Sequence, residues 1–135
     1  MARTRRDVTD TELSVLQVLW DCGACSRRHI ADALYPDGGS ASVTTVQKLL
    51  ERLEEKGHVR RIDGEGPITF GAVTDREQLI GHRLREMADK LCGGSLTPLL
   101  MNLVRAKPLT PRERQELQEL LEERNSQRRR RTKPR

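Results

Sequence analysis

The sequence is poor in aromatic residues, cysteine and long apolar runs, and each shortage excludes a class of protein. Its 135 residues include one Trp, one Tyr and one Phe, so a core must be built mainly from Leu, Val and Ile. No apolar stretch approaches the roughly 18 residues of a membrane-spanning helix, so we expect no membrane partner. The three cysteines cannot form a closed disulfide set, and no apolar segment follows the N-terminal arginines as in a secretory signal. Together these absences predict a cytoplasmic protein.

Motifs for catalysis and for bound cofactors are also missing. No serine stands in a Gly-x-Ser-x-Gly motif, and there is no glycine-rich phosphate loop. Cys22 and Cys25, with His29 four residues further on, resemble part of a metal or redox site. Tetrahedral zinc needs four ligands, however, and no second Cys/His pair follows. We therefore predict no enzyme activity, no metal and no cofactor, and interpret the cysteine pair as a turn, with a metal or redox role as the alternative.

Positive charge is concentrated at the two ends of the chain. The net charge is +5, but three arginines lie within residues 1–6 and six basic residues within 128–135. The remainder carries 16 basic and 20 acidic residues, a net charge of −4. Attraction to a polyanion must therefore come from local patches and from the two ends. We predict that residues 1–7 form a disordered basic arm and that residues 125–135, which lack any apolar residue, form a disordered basic tail.

The clearest helical pattern in the sequence begins at Ser42, which is predicted to cap the helix, and ends at Gly57. The apolar stripe of this helix consists of Val46, Leu49, Leu50 and Leu53. The opposite face carries Thr44, Gln47, Lys48 and Glu51, with Arg52 at its margin. The side chains predicted to read the major groove are Thr44, Thr45, Gln47 and Lys48. Short polar side chains on one helix face suit contacts with base edges in a DNA major groove. An ordinary amphipathic surface helix is the alternative interpretation.

Two helices precede this segment and a hairpin follows it. A capping box at Thr9–Glu12 begins the first helix, and Ser26 caps a second that runs to about Leu34. Strands are predicted at residues 58–62 and 68–73. This order predicts a mainly α fold with a small β wing, a winged helix-turn-helix domain over residues 8–73 whose third helix enters the groove. The side chains expected to contact phosphate are Arg27, Arg28, Ser42, Arg60 and Arg61.

Residues 74–124 are predicted to form three further helices. Capping signatures stand at Thr74–Glu77 and Thr110–Glu113, and Pro98 suits the first turn of the middle helix. Short helices with narrow leucine stripes bury too little apolar surface alone, so we predict a helical dimerisation module. Its interface residues would be Leu84, Leu99, Leu100, Leu103, Leu117, Leu120 and Leu121. A helical extension packed on its own winged domain is the alternative.

Five short stretches resemble, in order and spacing, the penicillinase repressor family of transcriptional regulators. They are Thr9–Glu12 with Leu13 and Trp20, Thr45-Val46 with Leu49 and Arg52-Leu53, Lys56-Gly57 with Val59, Leu100–Leu103, and Leu109-Thr110. The resemblance implies a homodimeric winged-helix repressor that binds palindromic double-stranded operator DNA. It also implies a sensor-activated protease that cuts the dimerisation module at Asn102 and Leu103, where relatives usually have phenylalanine in place of the leucine. The wing turn Glu65-Gly66-Pro67 departs from the family, which usually has a cation there.

We therefore predict a DNA-binding repressor that a signal releases from its operator, with proteolysis as one route of release. The alternative is a protein-interaction scaffold without sequence-specific DNA binding. Three acidic residues on the third helix, Glu51, Glu54 and Glu55, favour that alternative because carboxylates repel phosphate.

Overall fold

The computed structural model describes residues 7–132, which form six helices and three short strands. In chain order these are α1 (Asp10–Cys22), β1 (Cys25–Ser26), α2 (Arg27–Leu34), α3 (Gly39–Lys56), β2 (Val59–Ile62), β3 (Thr69–Ala72), α4 (Arg76–Leu91), α5 (Thr97–Ala106) and α6 (Pro111–Thr132). The predicted mainly α fold with a small β wing is confirmed. The predicted N-terminal arm lies outside the described residues, apart from Asp7.

The chain divides into two compact units, and the division falls inside α4, after Arg83. This is later than the boundary predicted near Val73, because the start of α4 belongs with the first unit. Leu79 is buried in the core of that unit. The indole Nε1 of Trp20 donates to the Thr74 carbonyl at 2.9 Å, and the guanidinium of Arg76 lies 5.3 Å from the centre of the same ring.

The core of the first unit is formed by one face of each of its first three helices. The predicted α3 stripe is buried as expected, and Val46 and Leu53 have no exposed surface. Leu16 of α1 and Ile30 of α2 are equally buried beside it. Each fully buried side chain of this size contributes about 1.5–3 kcal/mol to stability. This packing holds α3 by its apolar face and leaves its polar face outward.

The sheet has the strand order β1-β3-β2, and both pairings are antiparallel. The predicted hairpin of β2 and β3 is present, with Val59 opposite Ala72. The sequence interpretation of Cys25 as part of a turn is wrong, since Cys25 pairs with Phe70 in the short strand β1. Two residues are too few to carry an alternating pattern, so this strand depends on pairing with distant residues.

The start of α3 differs from the prediction. Ser42 is not its cap: the helix begins at Gly39, the cap is Gly38, and no side chain caps it. A Cβ on Gly38 would lie 2.7 Å from the Cβ of Ser42, so only glycine fits this tight turn between α2 and α3. The predicted end of the helix is confirmed, because Gly57 adopts a left-handed conformation with φ of 86°.

The caps of the later helices follow the predicted chemistry, with one shift. Thr110 and Glu113 form the predicted box at α6, with reciprocal bonds of 3.1 and 3.0 Å. At α4 the predicted Thr74 cap is wrong, since Asp75 and Gln78 make the reciprocal bonds at 2.7 and 3.0 Å. The Thr74 hydroxyl instead lies 2.7 Å from Nδ1 of His58.

The helix α6 continues to Thr132, so residues 125–132 are helical in the structure, whereas the sequence predicts a disordered tail from residue 125. Arginine and glutamine have high helix propensity, no Gly or Pro interrupts this stretch, and cations suit a helix C-terminus. Residues 133–135 lie outside the described part of the chain. Among residues 7–132, no helix is both long and apolar enough to cross a membrane.

Candidate nucleic-acid interface

The outer face of α3 presents the four polar residues that the sequence singled out. Thr44, Thr45 and Lys48 are exposed, and Gln47 is half-buried at the edge of the face. The apolar stripe on the other side is buried in the core. The helical period therefore separates a face that holds the helix in place from a face that can contact a ligand.

The two threonine hydroxyls donate to the backbone of their own helix. Thr45 Oγ1 donates to the Ala41 carbonyl at 3.2 Å, and Thr44 Oγ1 to the Ser40 carbonyl at 3.5 Å. With their protons used in this way, the side chains offer oxygen lone pairs and methyl groups. A base amino group and the methyl of thymine are the complementary groups in a major groove.

The Gln47 side chain connects α2 to α3. Its Nε2 donates to Oε1 of Glu51 at 2.8 Å, and its Oε1 accepts from Nη1 of Arg27. The sequence predicts Arg27 and Gln47 as separate binding residues and does not indicate their contact. The four-residue spacing of Gln47 and Glu51 was the only local signal for this network.

The first turn of α2 carries Arg27 and Arg28 and no acidic residue. Ser26 caps the helix as predicted, and its hydroxyl accepts from the amide of His29 at 3.2 Å. Cations at a helix N-terminus oppose the macrodipole and typically cost a few tenths of a kcal/mol each. An anion placed here would be attracted both by the helix terminus and by the arginines.

Arg60 and Arg61 lie on β2 and are both exposed. Arg61 stands opposite Phe70, and its guanidinium carbon lies 6.0 Å from the centre of that ring. Arg60 stands opposite Gly71. The strand therefore holds both cations at defined positions.

Ser42 is buried, whereas the other predicted phosphate contacts are half-buried (Arg27) or exposed (Arg28, Arg60 and Arg61). It is 7% exposed, and its hydroxyl donates to the Gly39 carbonyl at 2.6 Å. A buried and satisfied hydroxyl at this position supports the first turn of α3. A phosphate contact by Ser42 would require its hydroxyl to leave this bond.

The C-terminal end of α3 is fixed by a partly buried ion pair that the sequence did not reveal. Nζ of Lys56 lies 2.6 and 3.0 Å from the two carboxylate oxygens of Glu12, and 2.8 Å from the Asp7 carbonyl. Burial alone raises the pKa of Glu12. Hydrogen bonds from Lys56 and Thr9, with the charge of Lys56, outweigh burial and leave this pKa below its ordinary value.

The two cysteines of the first unit differ in environment. Cys25 is buried in the core, whereas Cys22 at the end of α1 is exposed. Burial raises the pKa of the Cys25 thiol, and the neighbouring Cys22 adds to this effect. A thiol held in its protonated form is a poor nucleophile and a poor metal ligand. Cys25 therefore fits a packing role.

The second unit leaves most of its predicted interface leucines exposed. Leu84 and Leu99 are half-buried, whereas Leu100 is 51% exposed and Leu103 is 61% exposed. The exposed leucines of α6 are Leu117, Leu120 and Leu121. Every residue of α5 and of the described part of α6 is at least partly exposed. Surface of this kind on short helices is typical of an interaction site.

The chain is similar to a known protein family and to a protein from another organism. A family model described as "Penicillinase repressor" matches residues 8–123, which include most of both units. A relative from Latilactobacillus sakei, described as "Uncharacterized 16.5 kDa protein in ptsI 3'region", is 23% identical over 121 residues. That alignment covers 90% of this chain and 82% of the relative.

Proposed function

The chain belongs to the penicillinase repressor family, and from this premise we propose that it represses transcription by binding palindromic operator DNA as a homodimer. Members of such a family are regulators rather than enzymes. The observation that carries the proposal is the outer face of α3. It is polar, exposed and held from behind by a buried apolar stripe.

In this proposal, base contacts and phosphate contacts come from different elements. Thr44, Thr45, Gln47 and Lys48 of α3 read base edges in the major groove. Arg28 at the start of α2 and the two arginines of β2 contact phosphates and fix the position of the domain on the duplex. Arg27 contributes through its remaining donors, since a guanidinium has five N–H groups and one is used on Gln47. The wing turn supplies no cation, so phosphate contacts depend on the strand and on α2.

Homodimerisation is supported by the apolar surface of the second unit. Apart from the half-buried Leu99, the leucines of α5 and α6 are exposed. Three of them line a groove together with Val104 and Leu109: Leu100, Leu103 and Leu117. A second copy offers the same leucines, so a two-fold axis would cover both sets at once. Two copies related by such an axis present two α3 helices, which matches a palindromic operator with two half-sites.

The family resemblance also suggests release by a sensor-activated protease. Asn102 and Leu103 lie within α5, and the Asn102 side chain donates to the Pro98 carbonyl at 2.9 Å. A protease needs an extended segment, and a helix without a buried residue unwinds at low cost. A cut here would divide the leucine surface. A chain that stays at full length after induction would instead indicate dissociation without cleavage.

In vitro selection from a randomised duplex library with the full chain tests the proposal. We expect one preferred, palindromic sequence. Lys48→Ala should reduce affinity for that sequence by about 1–3 kcal/mol, because it removes a base contact and leaves the buried face intact. The matched control is Lys90→Ala, which removes an exposed lysine that pairs with Glu86 at 3.0 Å on α4.

The control variant should bind like the unchanged protein. If selection yields no preferred sequence at all, the protein-interaction scaffold would replace DNA binding as the proposal. If a sequence is selected but Lys48→Ala binds it normally, the assignment of α3 to the groove is wrong.

A further inference from the structure

The amide of Gln47 is held between two groups of opposite hydrogen-bonding character. Arg27 donates to its oxygen, and Glu51 accepts from its nitrogen at 2.8 Å. A guanidinium can only donate and a carboxylate can only accept, so the amide has one permitted orientation. Its oxygen is directed to the side of α2, and its nitrogen to the following turn of α3.

These two bonds leave half of the amide's hydrogen-bonding capacity unused. A glutamine amide has two N–H donors and two lone pairs on oxygen. Arg27 occupies one lone pair and Glu51 occupies one N–H. One donor and one acceptor remain, in a fixed order along the helix. Adenine presents one acceptor, N7, and one donor, the N6 amino group, in the major groove.

We propose that Gln47 reads an adenine of the operator, and that Arg27 and Glu51 are positioning residues that fix its amide for this contact. The inference rests on the proposed DNA-binding function. A fixed donor–acceptor order also distinguishes an A·T pair from a T·A pair. The T·A pair presents the oxygen and methyl of thymine where the A·T pair presents N7 and N6 of adenine. Guanine is disfavoured, since both of its major-groove groups are acceptors.

Because of its position, Glu51 should affect DNA binding differently as a positioning residue than as a charge alone. It lies on the exposed surface of α3, one turn after Gln47, where a carboxylate repels the phosphates of a bound duplex. Electrostatics alone therefore predicts that removing Glu51 strengthens binding to every sequence. Positioning predicts a different result, a loss of discrimination at a single base pair. The two explanations can thus be separated by experiment.

The experiment uses the selected duplex and three substituted duplexes for each base pair of the half-site. The full chain is compared with Gln47→Ala, Glu51→Ala and Glu51→Gln. We expect Gln47→Ala and Glu51→Ala to lose about 5- to 150-fold discrimination for adenine at the same base pair. Glu51→Gln keeps an oxygen acceptor at this position and should retain most of the discrimination.

Glu55→Ala is the matched control, since Glu55 is an exposed acid one turn further along α3. It removes the same charge and should change affinity for all duplexes alike. If Glu51→Ala discriminates between bases as the unchanged protein does, the positioning role of Glu51 is wrong. If Gln47→Ala loses discrimination at a base other than adenine, the proposal that Gln47 reads adenine is wrong. Selection of no preferred sequence would be a failure of the proposed function itself.

Discussion

Glu12 is a fully buried carboxylate whose balancing charge comes from a residue 44 positions away. Its local role was predictable, because it completes the capping box with Thr9 at 2.9 and 3.2 Å. Its pairing with Lys56 was not, since nothing in the local sequence joins the start of α1 to the end of α3. Lys56 keeps 23% of its side chain exposed, so it can reach water if its partner is lost.

We predict that Glu12→Gln lowers the free energy of unfolding by about 1–3 kcal/mol, since it removes one partner of a largely buried pair. The folded-state pKa of Glu12 is below its ordinary value of 4.5. The contribution of this carboxylate is therefore fully present above about pH 4.5 and is lost as the pH falls through the folded-state pKa. The free energies of unfolding of the two proteins should be measured in urea from about pH 3 to about pH 7. The difference between them should become smaller at the acidic end of this range.

Glu113→Gln is the control for this measurement, because Glu113 occupies the equivalent place in the capping box of α6 but is fully exposed. It should have a much smaller effect. Equal effects of the two substitutions at every pH would mean that the ion pair with Lys56 adds nothing to the cap.

At the scale of helices and strands, the features that the sequence predicted are those that neighbouring residues determine. The helix ends at Ser26, Gly57 and Thr110 were predictable from capping residues alone. The strand β1 was missed because its two residues form a strand only by pairing with Phe70 and Thr69. The candidate site divides in the same way: the polar face of α3 followed from helical spacing, whereas the network around Gln47 needed the packing of α2 on α3.

The helix α5 offers a direct test of the proposed dimer. Leu103→Asp should yield monomers in sedimentation experiments at concentrations where the unchanged protein is a dimer, because an unpaired charge would be buried in an apolar interface. Met101→Asp is the matched control: it adds the same charge to α5 but lies off the stripe formed by Leu99, Leu100 and Leu103. A dimer that persists in Leu103→Asp would exclude α5 from the interface.

On the scale of the whole molecule, charge is segregated along the chain. Residues between the two basic ends carry a net charge of −4, so long-range attraction to DNA cannot come from the bulk of the protein. The helical part of the C-terminal segment includes Arg128, Arg129 and Arg130, which are exposed on the last turns of α6. A helical segment loses less conformational entropy than a disordered one when it meets a phosphate backbone.

This segment should increase affinity for DNA without selecting sequence, and substitution tests it better than truncation does. The triple variant R128Q/R129Q/R130Q removes three charges but keeps residues of high helix propensity, so α6 remains intact. We expect weaker binding to random DNA and a shallower dependence of log affinity on log salt, by up to about 0.9 for each arginine that contacts phosphate. Preference for operator over random DNA should persist or rise, because the α3 contacts are unchanged.

The triple variant R105Q/R112Q/R114Q, which removes the same charge from α5 and the start of α6, should alter the slope less. Equal slopes for the two variants would show that only net charge matters, and a loss confined to operator DNA would mean that the end of α6 reads sequence.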